Sequence, residues 1–387
     1  MCSWCPQQFR KDGLANNIDP NIIEHAIQNA ELVSAVNHKL PPIFSLRHLS
    51  HLVGVDYNLL RSVVERKGIE PYKVFRLNKK TKGSQKRGFR IICIPDPFLM
   101  QTQRWIVKNI FAYGEVHSAS FAYAEKCRVI DAANLHCKCR WMLKLDVRNF
   151  FESFSEIPAY RIFRSFGYQP LISLELSRIC TRLGGHTKTR SLPIWLSTKQ
   201  TKYSVINKYS NRRMGHFPQG APTSPMLSNL AMKEFDRKVA DLAKNNGLVY
   251  SRYADDLCLS TINDNFSRKK AKNVIVSIYK QMGEIGLSPN ITKTQIIPPG
   301  ARKIVLGLLV DGDVPKLSRE FRSKLRMHFF YMNRADIGPV LHAKNRGFDS
   351  VMGLKNHIEG LIAYSRQIDP IYASSCIAQM KSIDWPL

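Results

Sequence analysis

The sequence predicts an α+β chain, and three observations carry that expectation. Apolar residues recur at helical spacing over 20–70 and again from Ser318 onward. Between these ends a long region, about 141–310, alternates strand-like and helical segments. The length of 387 residues allows two or three packed subdomains, and a hydrophobic content of 44% is ordinary for a globular protein. No internal repeat at a fixed period is visible.

The elements follow in order. Ile22-Ile23-Glu24-His25-Ala26-Ile27 and Leu46-Arg47-His48-Leu49-Ser50-His51-Leu52-Val53 have apolar spacings of three and four, with Ser45 as an N-cap and Gly54 as a stop. Tyr72-Lys73-Val74-Phe75-Arg76-Leu77 and Phe89-Arg90-Ile91-Ile92-Cys93-Ile94-Pro95 read as two strands. The loop that joins them, 78–88, is strongly basic, and residues 97–113 return to helical spacing. A stretch near 184–214 is rich in Lys, Arg, Ser, Thr and Gly and reads as a loop insertion. The helical tail is basic at first, with Arg319, Arg322, Lys324, Arg326 and Arg334 against Glu320 alone.

Charge narrows the partners. The formal net charge is +28, from 58 basic and 30 acidic residues, which implies a polyanion and most simply nucleic acid. An anionic membrane surface is the alternative, but no apolar stretch is long enough to span a bilayer and no lipidation motif stands out. The N-terminus, Met1-Cys2-Ser3-Trp4-Cys5-Pro6, lacks a signal-peptide pattern, so a cytosolic protein is expected. Nine scattered cysteines, an odd count, argue for free thiols in a reducing compartment. Cys2-x-x-Cys5 and Cys137-x-Cys139 could be halves of a zinc site, but Cys-x-Cys is an uncommon half-site and neither pair has a convincing mate.

The most informative residues are Tyr253-Ala254-Asp255-Asp256. Short apolar or aromatic runs flank them, so the acids are expected at a tight turn between two strands of a hairpin. Turns favour Asp for purely structural reasons. Two adjacent buried carboxylates, however, repel each other, and a divalent metal between them removes that cost. Hard oxygen ligands of this kind suit Mg²⁺. A third acid, Asp146, ends the apolar run Trp141-Met142-Leu143-Lys144-Leu145 and is followed by Phe150-Phe151. An acid there could cap the next helix, or could stand at the sheet rim to meet Asp255. Between these sites, Pro218-Gln219-Gly220-Ala221-Pro222-Thr223-Ser224-Pro225 opens a helix, a setting suited to phosphate or nucleic-acid backbone.

Asp146 with Phe150-Phe151, then Gln219-Gly220-x-Pro-x-Ser-Pro, then Tyr253-Ala254-Asp255-Asp256, in this order and spacing, resemble a reverse transcriptase palm. Gly286-Leu287-Ser288-Pro289-Asn290-Ile291-Thr292-Lys293-Thr294 resembles the segment after the catalytic hairpin, and Ile304-Val305-Leu306-Gly307-Leu308-Leu309-Val310 the primer-grip region. Arg90, near Pro95, Gln103 and Arg104, resembles the fingers motif. The resemblance covers roughly 70–330 and runs to bacterial retron-type enzymes and stand-alone defence-associated relatives. The chain departs from the retron pattern at Ala132-Ala133-Asn134-Leu135-His136 and at Val305-Leu306-Gly307, where the family often has Asn-Ala-x-x-His and Val-Thr-Gly.

The resemblance implies a right-hand polymerase: an N-terminal helical extension over 1–70, fingers over 71–140, a palm over 141–310 and a helical thumb over 311–387. It implies catalysis by Asp146, Asp255 and Asp256, with the Val147 carbonyl completing the ligands of two Mg²⁺ ions, for which Mn²⁺ could substitute. Arg90 and basic residues of the 79–87 loop would touch the triphosphate of a dNTP, Gln219 would lie near the nascent pair, and Lys293 would protonate pyrophosphate. Phe151 would stack under the sugar and exclude a 2′-hydroxyl, while Phe150 would face the core, as adjacent strand residues do. Lys79, Lys80, Arg322 and Arg326 would hold nucleic acid; Phe329, Phe330 and Tyr331 would pack or stack; His136 would be structural. The partners implied are a non-coding RNA template and its DNA product, with room left for an effector protein and a homo-oligomer, and no membrane. The expected activity is RNA-directed DNA synthesis in antiphage defence, in a bacterial cytoplasm. Two other readings stay open: a template-independent, protein-primed polymerase of abortive-infection type, and a catalytically silent RNA-binding scaffold.

Overall fold

The computed structural model describes residues 4–68, 70–78, 89–124, 127–184, 194–196, 208–210 and 214–386, with 194–196 and 208–210 described by their backbone alone. Lys79 and Lys80 therefore lie outside the described residues. Eleven strands are found among those described: β1 (Tyr72–Asn78), β2 (Phe89–Pro95), β3 (Trp141–Asp146), β4 (Ile194–Leu196), β5 (Lys208–Ser210), β6 (Val249–Tyr253), β7 (Asp256–Thr261), β8 (Gln295–Ile297), β9 (Ile304–Val305), β10 (Leu308–Leu309) and β11 (Lys316–Leu317). The strands make up four separate sheets, all antiparallel, and helices supply the remainder of the packing.

The chain opens with helices, from Pro6 to Glu65. Helix Leu46–Val53 starts at Ser45, whose side chain accepts from the His48 N–H, and stops at Gly54, which has φ +74. Both residues behave as expected from their types, a hydroxyl satisfying an orphan donor and a glycine taking the left-handed position. Buried ion pairing ties this region to the middle of the chain. Arg66 Nη2 lies 2.9 Å from Glu156, which also accepts from the Gly215 N–H at 2.7 Å.

The β1–β2 hairpin pairs Leu77 with Arg90 and Val74 with Cys93. Helix Pro97–Asn109 follows it, then a 3-10 turn, Phe111–Tyr113. The central sheet has the order β6-β7-β3-β8. Leu143, Leu145, Tyr250, Leu257 and Leu259 are buried on one of its faces, under helices that include Ser224–Asn245 and Arg268–Glu284. The expected loop insertion near 184–214 contains a short hairpin, β4–β5; its other residues lie largely outside those described.

One local expectation is corrected. Phe150 and Phe151 do not continue a strand: Asn149, at φ +48, breaks the extended run, and Phe150–Ser153 forms one helical turn. The two rings still diverge. Phe150 is in the core and Phe151 is half-buried.

The tail is a bundle of four helices, Arg319–Met332, Gly338–Asn345, Val351–Arg366 and Pro370–Lys381, around Leu325, Phe329, Leu354, Ile358 and Cys376. Ser318 caps the first by accepting from the Phe321 N–H. No helix among the described residues is long and apolar enough to cross a membrane.

Candidate active site

Two hydrogen-bond ladders bring the acids together. In the β3–β7 ladder Asp146 pairs directly with Asp256, and in the β6–β7 ladder Tyr253 pairs with Asp256. Ala254 and Asp255 form the two-residue turn between β6 and β7, with Ala254 at φ +55, the sign that tight hairpin turns require at their first central position. The Val147 N–H donates to the Asp255 carbonyl at 3.0 Å, so β3 holds the turn as well as the strand. Side chains alternate along strands, which sets Lys144, Asp146, Asp256 and Cys258 on the sheet face opposite the Leu257 face.

A neighbouring segment completes the end of the sheet. The Asn290 side chain donates to Asp146 Oδ1 at 2.8 Å, and its backbone N–H donates to the Asp146 carbonyl at 2.7 Å. Lys293 Nζ lies 2.5 Å from Asp146 Oδ2. Asp146 is buried, whereas most of the Lys293 side chain is exposed. Asn290 was not among the expected site residues. Its signal was its place in the segment that precedes Lys293.

The electrostatics of the acids differ. Burial first, and then the charge of Asp146, raise the Asp255 carboxyl, which Lys293 and Arg90 partly counter. Asp256 reaches solvent on one side, yet desolvation and the charges of Asp255 and Asp146 push it up to about 6. Lys144 and Lys293 pull it back. These cations offset the shifts only in part, so both carboxyls stay raised. Among the described residues no group of three or more His, Cys, Asp or Glu side chains could hold a metal ion by itself. The three acids are a partial, hard oxygen set, of the kind that Mg²⁺ completes with water and substrate phosphates. Among the described residues no such group surrounds Cys137 and Cys139 either, and all the described cysteines are free.

Other expected residues have defined partners of their own. The Gln219 carbonyl accepts from the Cys93 N–H at 2.8 Å, which clamps the 218–225 loop onto β2 beside Arg90. Gly220 has φ +109, and a Cβ there would stand 3.0 Å from both the Cys93 carbonyl and Ile92 Cγ2. Only glycine lets the loop approach so closely. Phe151 faces Tyr123, with ring centroids 6.3 Å apart, and Tyr123 faces Tyr253 at 6.4 Å. Tyr123 has φ +63, an uncommon backbone for a bulky residue, and sequence reasoning missed it.

The tail residues divide. Arg322 Nη2 is bonded to Asp369 at 2.6 Å, and its guanidinium lies over the Tyr372 ring, so it is engaged within the bundle. Arg326 is exposed. Phe329 is core, while Phe330 is exposed under Arg334. His136 is buried and neutral, pushed down to about 4, and its two ring nitrogens meet Ser260 Oγ at 2.7 Å and Ser251 Oγ at 2.6 Å. It braces β6 and β7 from the acid-bearing face and touches no solvent. The Leu306–Gly307 turn has φ +49 and +88, and Tyr364 of the bundle donates to the Leu306 carbonyl at 3.4 Å.

Comparison with known proteins bears on this geometry. The family described as reverse transcriptase (RNA-dependent DNA polymerase) matches residues 77–308, well over half of the chain. The chain is 26% identical over 347 residues to the Retron Ec86 reverse transcriptase of Escherichia coli, spanning 89% of this chain and 96% of that protein. It is 26% identical over 307 residues to the Retron Ec83 reverse transcriptase of the same species, spanning 78% and 84%. To the Retron Mx65 reverse transcriptase of Myxococcus xanthus it is 27% identical over 334 residues, spanning 85% and 69%. The α+β content and this family match agree on a polymerase architecture. The chain therefore belongs to the reverse transcriptase family as a divergent protein of the retron type, and its activity is RNA-directed DNA synthesis.

Proposed function

We propose that the sheet end bearing Asp146, Asp255 and Asp256 is a two-metal nucleotidyl-transfer centre, and that the enzyme copies a dedicated non-coding RNA in antiphage defence. One observation carries the reading of the centre: Asp146 and Asp256 are direct cross-strand partners, with Asp255 next to them in the turn. Two Mg²⁺ ions, or Mn²⁺ in their stead, held by these acids and the Val147 carbonyl would activate a primer 3′-hydroxyl and stabilise the pyrophosphate leaving group.

The remaining roles belong to the chain itself. Asn290 orients Asp146 by its two hydrogen bonds. Lys293 neutralises Asp146 before substrate arrives, and would give a proton to departing pyrophosphate. Arg90, which lowers the proton affinity of Asp255, faces the triphosphate. Phe151 forms the floor under the sugar, and Gln219 contacts the nucleotide from the clamped loop. Arg326 and the basic surface of the tail follow the nucleic-acid backbone. Residues 71–140 act as fingers, 141–310 as palm and 311–387 as thumb, with 1–70 as a helical extension. The setting is a bacterial cytoplasm, and an effector protein or a second copy of the chain are further partners to be sought.

The experiment is to purify the protein and sequence the RNA and DNA that accompany it, then repeat with Asp255→Ala and Asp256→Ala. DNA complementary to a bound RNA, lost in both variants, supports the proposal. DNA without a complement, covalently joined to protein, would replace it with template-independent synthesis. RNA alone, unaffected by the substitutions, would leave a binding scaffold.

A further inference from the structure

Ala254 lies at φ +55, a conformation that alanine keeps only where its surroundings hold it. The group in a position to hold it is Arg252. This side chain is fully buried, on the sheet face turned away from Asp146 and Asp256. A guanidinium has five N–H donors, and here each has an acceptor. Nε donates to Asp236 Oδ1 at 2.8 Å and Nη2 to Asp236 Oδ2 at 2.6 Å. Nη2 also donates to Ser120 Oγ at 3.2 Å. Nη1 donates to Asn229 Oδ1 at 3.1 Å and to the Ala254 carbonyl at 3.0 Å.

The surroundings extend these links. Asn229 Nδ2 donates to the Ala122 carbonyl at 2.5 Å. The Arg252 backbone N–H donates to the Ala119 carbonyl at 2.7 Å, and its carbonyl accepts from the Phe121 N–H at 2.8 Å. One buried cation thus joins the turn that carries Asp255, the segment that leads to Tyr123, and the helix that opens from the Gln219–Gly220 loop. An ion pair kept for stability alone needs none of this, because apolar side chains of similar volume serve as well. A lysine could answer Asp236, but its three donors could not also reach Asn229, Ser120 and the turn.

We propose that Arg252 is a positioning residue for DNA synthesis: by donating to the Ala254 carbonyl it pins the strained turn that aims Asp255 at the reacting phosphate. The inference rests on the reading of Asp146, Asp255 and Asp256 as the nucleotidyl-transfer centre.

The test is primer extension by the full chain on poly(rA)·oligo(dT) with dTTP, alongside thermal melting. Arg252→Lys should lower kcat about 100-fold, the scale of a misplacement near 1 Å, with KM for dTTP moved less than about threefold. Tyr250→Phe is the structural control. It removes the Tyr250 O–H bond to Asp236 at 2.7 Å in the same network but leaves the turn contact, so it should lower Tm and keep kcat within about threefold of the parent. Adding Ala254→Gly to Arg252→Lys should restore at least about tenfold of kcat, because glycine takes the turn without a pin.

An Arg252→Lys kcat no lower than that of Tyr250→Phe, or no recovery in the double variant, overturns the proposal. If Arg252→Lys does not fold, hydrogen exchange of the parent protein decides. The Val147 N–H, bonded to the Asp255 carbonyl at 3.0 Å, should then exchange as slowly as the amides inside β7, and fast exchange overturns the pin. Asp255→Ala separates the two levels. If it still extends primers, the reading of the centre fails; if it does not, and Arg252→Lys is normal, only the pin fails.

Discussion

Replacing Asp256 by asparagine should abolish synthesis and at the same time stabilise the metal-free protein. The carboxyl is raised from 3.8 to about 6 by desolvation and by the charges of Asp255 and Asp146. At ~1.4 kcal/mol for each tenfold change in proton affinity, that rise corresponds to ~3 kcal/mol of unfavourable charge in the folded chain. The side chain is exposed on one side, so screening leaves ~1 kcal/mol, worth ~2 °C or less in Tm for a chain of this size. The sign follows from linkage. A carboxyl whose folded value is raised contributes stability below pH 3.8, and loses it as pH climbs through about 6. Asp256→Asn removes that loss. With EDTA at pH 7.5, melting should therefore show the variant above the parent, and the gap should close at pH 4 and below. Adding Mg²⁺ at pH 7.5 should raise the parent and leave the variant nearly unmoved. A variant no more stable than the parent at pH 7.5, or a gap that ignores pH, would refute the reasoning about repelling acids.

Three further outcomes are expected. Phe151→Ala should let ribonucleotides in, lowering discrimination against a 2′-hydroxyl at least about tenfold in single-nucleotide extension; unchanged discrimination would remove Phe151 from beneath the sugar. Gly220→Ala, with its Cβ 3.0 Å from the Cys93 carbonyl and a φ of +109, should cost ~1–3 kcal/mol of strain and raise KM for dNTP by loosening the Gln219 loop from β2. An unchanged KM would show that the clamp is dispensable. Glu156→Ala leaves the buried Arg66 with Thr181 as a partner but no counter-charge, and leaves the Gly215 N–H without its acceptor, so urea unfolding should register a loss of ~3–5 kcal/mol; a loss under ~1 kcal/mol would mean that the pair is solvated in solution.

The sequence made legible what is local. The cap Ser45 and the stop Gly54, the β1–β2 hairpin, and the turn between β6 and β7 all rest on residue types within a few positions of one another. Asp146 was legible because a strand end and two aromatics mark it. Arg252 and Asp236 were not, although they lie only sixteen residues apart. One is on a strand and the other on a helix, and each alone reads as a surface charge. His136 reaches Ser251 and Ser260 across 115 and 124 residues, and Glu156 reaches Arg66 across 90, separations at which no periodicity survives. Phe150-Phe151 was misread for a different reason. Two aromatics after an apolar strand keep the strand pattern, and only the left-handed backbone at Asn149 ends it.

The acids and the Arg252 network occupy opposite faces of one sheet, and the physics differs between them. Asp146 and Asp256 stand on one face, beside Asp255 in the turn, as like charges in partial desolvation, an arrangement that costs stability until something cationic arrives. On the other face Arg252, Asp236, Asn229 and Ser120 satisfy one another completely. The second face can hold the first in place because it is not itself strained. Substitutions should therefore sort by face. Removing Asp255 or Asp256 should eliminate synthesis while Tm holds or rises, whereas trimming the buried network should lower Tm first. Arg252→Lys alone should do both, because its guanidinium is the point at which the satisfied face touches the turn of the unsatisfied one.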